Sequence, residues 1–280
     1  MRAIIHSFAR TCRARCAARC AGAWVLLCLP CISCNSAPHA PAQKLPIVEI
    51  LASTSPPPIS AEDLAPRSIG SMRWQQVDAH WRPTEKAPAT LDASWIDGPS
   101  AGESGMGRAA GWRVDGVDGT VDWLAFNPDG FLQLVRTESP RYDATTTFDP
   151  PLLLAPRELR GEDEFISDAM MRVVSMSTQR ERDKGSARRR LRVVRGERIR
   201  TPLGEWNATV VESVFTATLG MAVATHRTTL WVVPEVGPVV ERWEASVQVL
   251  GIPVPRDRGT SVRIDPPPTR VQGRPPTAPH

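Results

Sequence analysis

Past residue 34 the chain has no cysteine: Cys12, Cys16, Cys20, Cys28, Cys31 and Cys34 are all six of its 280 residues' complement. The remainder therefore has neither a disulfide framework nor a zinc site of cysteine type, and it must be held by its core. Asp and Glu are missing from the same first 34 positions, which carry Arg2, Arg10, Arg13, Arg15 and Arg19. Setting those five arginines aside leaves 29 basic against 30 acidic residues, so the formal charge of +4 becomes −1. The basic character belongs to the leader, which removes the support for a nucleic-acid partner. Lysine is scarce, with only Lys44, Lys86 and Lys184, an imbalance that reads as base composition. No apolar run is long enough for a polytopic membrane protein, no H-E-x-x-H occurs, and no fixed-period repeat is present.

The first 34 residues read as a secretion signal. An Arg-rich region precedes the apolar stretch 21–32, about a dozen residues and too short to span a ~30 Å bilayer. Ile32-Ser33-Cys34 resembles the bacterial lipobox, in which the cysteine is acylated and becomes the new N-terminus, with Cys31 where leucine is usual. Cys34 is thus the expected lipid attachment site. Ordinary cleavage near Ser36-Ala37, an uncleaved anchor and an organelle transit peptide are the other readings of this leader.

Residues 35–66 hold Pro38, Pro41, Pro46, Pro56, Pro57, Pro58 and Pro66 and no aromatics, the composition of a tether. Residues 266–280 predict a disordered tail. Between them, 67–265 predicts a single domain with a period of two. In 239–249, Val239, Trp243, Ala245, Val247 and Val249 alternate with polar positions, with Glu241 on the apolar side. Residues 223–233 join that strand through Pro234-Glu235-Val236-Gly237, and 121–126 joins 131–135 through Asn127-Pro128-Asp129-Gly130; both predict hairpins. Further strands are expected at 111–116, 165–176, 189–200 and 205–217, a turn or two of helix at 59–64 after Ser60, and a crossing of an edge or open face by 140–162. Short connections imply antiparallel pairing. The expected fold is mainly β, a curved antiparallel sheet (open half-barrel or sandwich-like) with little helix.

Catalytic equipment is sparse. Gly98-Pro99-Ser100-Ala101-Gly102 matches G-x-S-x-G, but the strand and helix that such an elbow needs are not predicted around it. His226, on a strand face with Leu230 and Val232, reads as a structural histidine rather than a base. The Asp115, Asp118 and Asp122 spacing is that of Asp-Gly turns and lacks the EF-hand run. Glu162-Asp163-Glu164 reads as a solvated turn. No catalytic residue, metal or cofactor is expected. Arg188, Arg190, Arg192, Arg198 and Arg200 share one face of the expected strand, with Leu191, Val193 and Ile199 on the other. They are candidate anion-binding residues or a solvated face balanced by glutamates on neighbouring strands.

The stretch from Gly196-Glu197-Arg198-Ile199-Arg200-Thr201-Pro202-Leu203-Gly204-Glu205-Trp206 to Glu212, followed by Leu230-Trp231-Val232-Val233-Pro234-Glu235-Val236-Gly237-Pro238-Val239-Val240-Glu241, resembles bacterial envelope lipoproteins of unknown function. The resemblance implies an open half-barrel similar to the lipoprotein-localisation chaperones, and a periplasm-facing, membrane-anchored or secreted address. It implies no reaction. The expected function is a non-enzymatic envelope lipoprotein whose sheet binds an apolar ligand or a protein partner. The alternatives are a purely structural or interaction module and a serine hydrolase using Ser100 and His226. The placement of Trp112, Trp123, Trp206, Trp231 and Trp243 separates a plain core from an open site.

Overall fold

A computed structural model describes residues 45–66, 70–96, 110–116, 119–254 and 257–265. Its elements are β1 (Glu49–Thr54), β2 (Ile59–Ser60), α1 (Ala61–Leu64), β3 (Gly70–Val77), β4 (Ala89–Ile96), β5 (Gly111–Asp115), β6 (Val121–Phe126), β7 (Leu132–Ser139), β8 (Ala144–Ala155), β9 (Glu158–Leu159), β10 (Glu164–Ser175), β11 (Glu181–Thr201), β12 (Gly204–Leu219), β13 (Ala222–Val233), β14 (Gly237–Val249), β15 (Ile252–Pro253) and β16 (Asp257–Arg263). Twelve of the strands form a closed antiparallel barrel in the order β3, β4, β5, β6, β7, β8, β10, β11, β12, β13, β14, β16. That is an up-and-down meander whose last strand meets its first: Thr260, Ser261, Val262 and Arg263 pair with Val77, Gln76, Gln75 and Trp74.

The mainly β expectation holds, and the open half-barrel is corrected: the sheet is closed. Closure removes the two exposed edges that an open sheet would have to protect. The hairpin at 127–130 forms as its residues dictate. Gly130 takes φ +81°, its N–H donates to the Asn127 carbonyl, and the Asn127 side chain accepts from Phe131 N at 2.8 Å. Residues 140–162 cross no open face. Within them β8 is a wall strand between β7 and β10, and its ladder to β7 is interrupted around the cis Asp149–Pro150 peptide.

Residues 45–66, expected as the distal part of a tether, belong to the fold, which therefore begins well before residue 67. β1 extends the sheet along the far end of β11, where Gly196 lies so close to the Thr54–Pro56 backbone that a Cβ would meet the Thr54 carbonyl at 2.5 Å. Thr209 Oγ1 then donates to the Pro57 carbonyl at 2.6 Å. The proline run is ordered by these contacts rather than by its composition. Ser60 caps α1 in a capping box with Asp63. The Asp63 carboxylate also accepts from Glu235 N at 2.8 Å, in the β13–β14 turn. α1 contacts β7, β8, β13 and β14 and so plugs one end of the barrel. Residues 1–44 and 266–280, with the expected leader, Cys34 and tail, lie outside the described residues.

Strand alternation divides the core. Inward side chains such as Leu134, Leu152, Leu191, Val211 and Val247 form the main cluster, which Ile59 and Ala61 of the plug join. A second cluster lies on the outer face near the plugged end, where Val210, Trp231, Val240 and Val262 are covered by Val48 and the half-buried Ile47 and Trp81. A third, small cluster of Val121 and Trp123 with Ile96 and Val135 lies outside as well, and the outer faces of β10 and β11 carry ion pairs. No helix among the described residues is long and apolar enough to cross a membrane. The outer face of β11 carries Lys184, Arg188, Arg190 and Arg192, where a membrane-spanning barrel presents a lipid-facing apolar band.

Candidate functional site

A barrel of eight strands is about filled by its own inward side chains, and larger ones leave space. Twelve strands exceed that number, and several inward side chains here are not sealed into the main cluster. Met72, Trp74, Leu91, Trp95, Trp112, Leu230 and Trp243 point inward by alternation yet keep part of their surface accessible. These residues outline a lumen along the β3–β5 and β13–β14 wall. Trp95 and Trp112 meet edge-on with centroids 5.0 Å apart.

Polar groups are set into this lining. Along the hydrogen-bonding direction, Ser167, Arg189, Phe215, His226 and Ala245 lie at one level on β10, β11, β12, β13 and β14. His226 is 4% exposed, its Nδ1 is 3.2 Å from the Thr228 hydroxyl, and its ring lies against Trp243 at 6.2 Å. Burial, with the nearby Arg189 charge adding to it, pushes the imidazole down to about 2, so the ring is neutral at physiological pH. The protein around the half-buried Arg189 side chain partly desolvates its guanidinium and pulls it down to about 10, and it stays charged at neutral pH. Its Nε is buried without a partner. On the far wall Asp122 accepts from Thr137 Oγ1 at 2.7 Å.

Arg189 is a residue that sequence reasoning passed over. It stands between two candidate arginines, but its odd position places it with Ala187, Leu191 and Val193 on the apolar side of the alternation. An arginine on the apolar face was the signal.

The five candidate arginines do not share one face. Arg188, Arg190 and Arg192 pair with Thr216, Val214 and Glu212 of β12, whereas Arg198 and Arg200 pair with Asn207 and Glu205. Even and odd positions of β12 face opposite ways, and the reversal comes from a bulge between Val193 and Arg195. Each arginine has a carboxylate partner: Arg188 with Asp168 at 3.8 Å, Arg190 with Glu164 at 3.4 Å, Arg192 with Glu212 at 2.9 Å, Arg198 with Glu205 at 2.9 Å, and Arg200 with Glu49 and Glu205 at 2.6 Å.

The five tryptophans do not gather at one mouth. Trp112 and Trp243 line the lumen, while Trp206 and Trp231 belong to the outer cluster. Trp123 lies outside, with the Arg136 guanidinium 4.4 Å from its ring centroid. Ser100 and its G-x-S-x-G stretch lie outside the described residues. Asp115 pairs with Arg113 at 2.8 Å, and Asp163 closes a turn on Arg160 N. Among the described residues no three His, Cys, Asp or Glu side chains come together as metal ligands. A groove of about 390 Å³ beside the plug is lined by Pro58, Ile59, Ser60, Asp63, Arg157 and Glu158.

No family model matches this chain, and no curated protein matches it. One solved structure that it resembles is that of a candidate lipoprotein from Parabacteroides distasonis, at 13% identity, covering 72% of this chain and 96% of that one with a TM-score of 0.32.

Proposed function

We propose that this protein is a non-enzymatic lipoprotein of the cell envelope, anchored through Cys34 and facing the periplasm, whose barrel lumen binds a ligand with a substantial apolar part. The observation that carries the binding role is the set of inward side chains that remain accessible, Leu91, Trp95, Trp112, Leu230 and Trp243 among them. Leu91, Trp112 and Leu230 pack against the main cluster with part of their surface and leave the rest open, and open apolar lining is what an apolar ligand would cover. The address rests on the leader. Titrating the purified full chain with the uncharged dye N-phenyl-1-naphthylamine should give a saturable fluorescence rise, and Leu230→Arg should abolish it. Absence of saturable binding overturns the lumen reading.

One observation favours a second reading, an interaction module. Met221, Leu250 and Ile252 are 70%, 64% and 68% exposed at the hairpin tips of the barrel end away from the plug, with Leu250 N donating to the Met221 carbonyl. A photocrosslinker placed at position 221 in cells should then give one discrete protein adduct. If no adduct forms, this second reading falls.

A further inference from the structure

Arg189 stands on the inward face of β11 between Ala187 and Leu191, which are 1% and 0% exposed. Every candidate arginine facing the other ways on this strand meets a carboxylate, and Arg189 meets none. No hydrogen bond or ion pair engages its guanidinium among the described residues, yet part of the side chain remains accessible from the lumen. A guanidinium recessed in the barrel wall, with its Nε buried and no counter-charge beside it, is less well solvated than one in open water, and an anion that arrives from outside the chain would complete it.

The remaining unpartnered buried atoms on the inward face agree in sign. They are Nε1 of Trp74 and of Trp112, and Nε and Nη2 of Arg263, all donors; the Ser139 hydroxyl is the exception. The inward Asp122 carboxylate is already taken up by Thr137. By the same alternation Asp183, Glu241 and Asp257 face inward as well, but among the described residues none of them forms an ion pair with Arg189. What Arg189 lacks is an acceptor within reach.

Resting on the lumen reading above, we propose that the ligand is an amphiphile whose anionic oxygen head, a carboxylate or a phosphate monoester, is received by the Arg189 guanidinium while its chain lies along the half-open wall of Leu91, Trp95, Trp112 and Trp243. The planar fork of arginine suits two oxygens of either head. Ser167, paired with Arg189 across the ladder, already accepts from Leu153 N and leaves its hydroxyl proton to point at the same head.

The test is displacement of N-phenyl-1-naphthylamine from the purified full chain by oleate, oleyl phosphate and oleyl alcohol. At least one anion is expected to displace the dye at a concentration at least tenfold below that of the alcohol, and which anion does so identifies the head. Arg189→Met should reduce that advantage to under threefold and raise the melting temperature, because an unpaired buried charge is removed. Arg189→Lys, which keeps the charge without the fork, should fall between, and outward Arg190→Gln should match the unaltered chain. Equal displacement by anions and alcohol, or an advantage that survives Arg189→Met, overturns the proposal while the lumen reading stands. Failure of the dye and the alcohol to bind at all overturns the lumen reading itself.

Discussion

The Trp231 indole donates through Nε1 to Glu197 Oε2 at 2.6 Å, within the apolar cluster outside the barrel. Glu197 is 4% exposed, and its other oxygen accepts from Arg195 Nε at 2.6 Å. Trp81 meets the Trp231 ring edge-on at 5.7 Å, and the Arg242 guanidinium lies 5.1 Å from the Trp81 centroid. This network fastens the connection between β3 and β4, which carries Trp81, to β11, β13 and β14.

Trp231→Phe keeps most of the packing but leaves one oxygen of a buried carboxylate without its donor. The expected loss is about 2 kcal/mol of unfolding free energy, the usual cost of orphaning a buried charged acceptor. Urea denaturation measures it, and a loss below a few tenths of a kcal/mol would show that Arg195 alone satisfies Glu197.

His226 makes the protein acid-sensitive. Its folded pKa of about 2 lies below the unfolded value of about 6.5, so the unfolded chain binds the extra proton between those limits. Stability is present in full above pH 6.5 and is lost as pH falls, by at most about 1.4 kcal/mol per pH unit from this one group. Comparing denaturation midpoints at pH 7 and pH 5 for the unaltered chain and for His226→Gln should show a steeper fall in the former. Parallel slopes would assign acid sensitivity to other groups.

The arginines of β11 should contribute little. Five guanidinium groups face five carboxylates, all exposed or partly so, and such pairs are worth 0 to about 1 kcal/mol each. Replacing Arg190, Arg192, Arg198 and Arg200 by Gln should change binding of the unlipidated protein to anionic vesicles by less than threefold at low salt. A loss of tenfold or more would restore them as an anion site despite their partners.

Cys34→Ala should abolish membrane association and incorporation of labelled fatty acid, because no cysteine follows it. Label retained after the substitution would refute the lipobox reading of the leader.

The strands with strong alternation, β5 to β7 and β10 to β14, were legible before any tertiary contact, because a period of two is a local property of half-buried backbone. The Asn127–Gly130 turn, the Ser60 cap and the charged, exposed character of the five arginines were legible too, but not that Arg198 and Arg200 face away from the other three. Tertiary structure decided the rest. β3, β4 and β16 have weak alternation, as in Gly-Ser-Met-Arg-Trp-Gln-Gln-Val, and become strands because the curling sheet brings 257–263 against 70–77 and closes. The proline-rich 45–66 looks like a tether to any compositional reading and is fixed by long-range contacts with Gly196, Thr209 and Glu235. A bulge between Val193 and Arg195 reverses the facing of everything after it, and no periodicity marks where a ladder slips. That Arg189 points inward was legible from its place in the alternation. That no carboxylate among the described residues pairs with it there depends on all twelve strands, since only the closed barrel fixes which side chains share its interior.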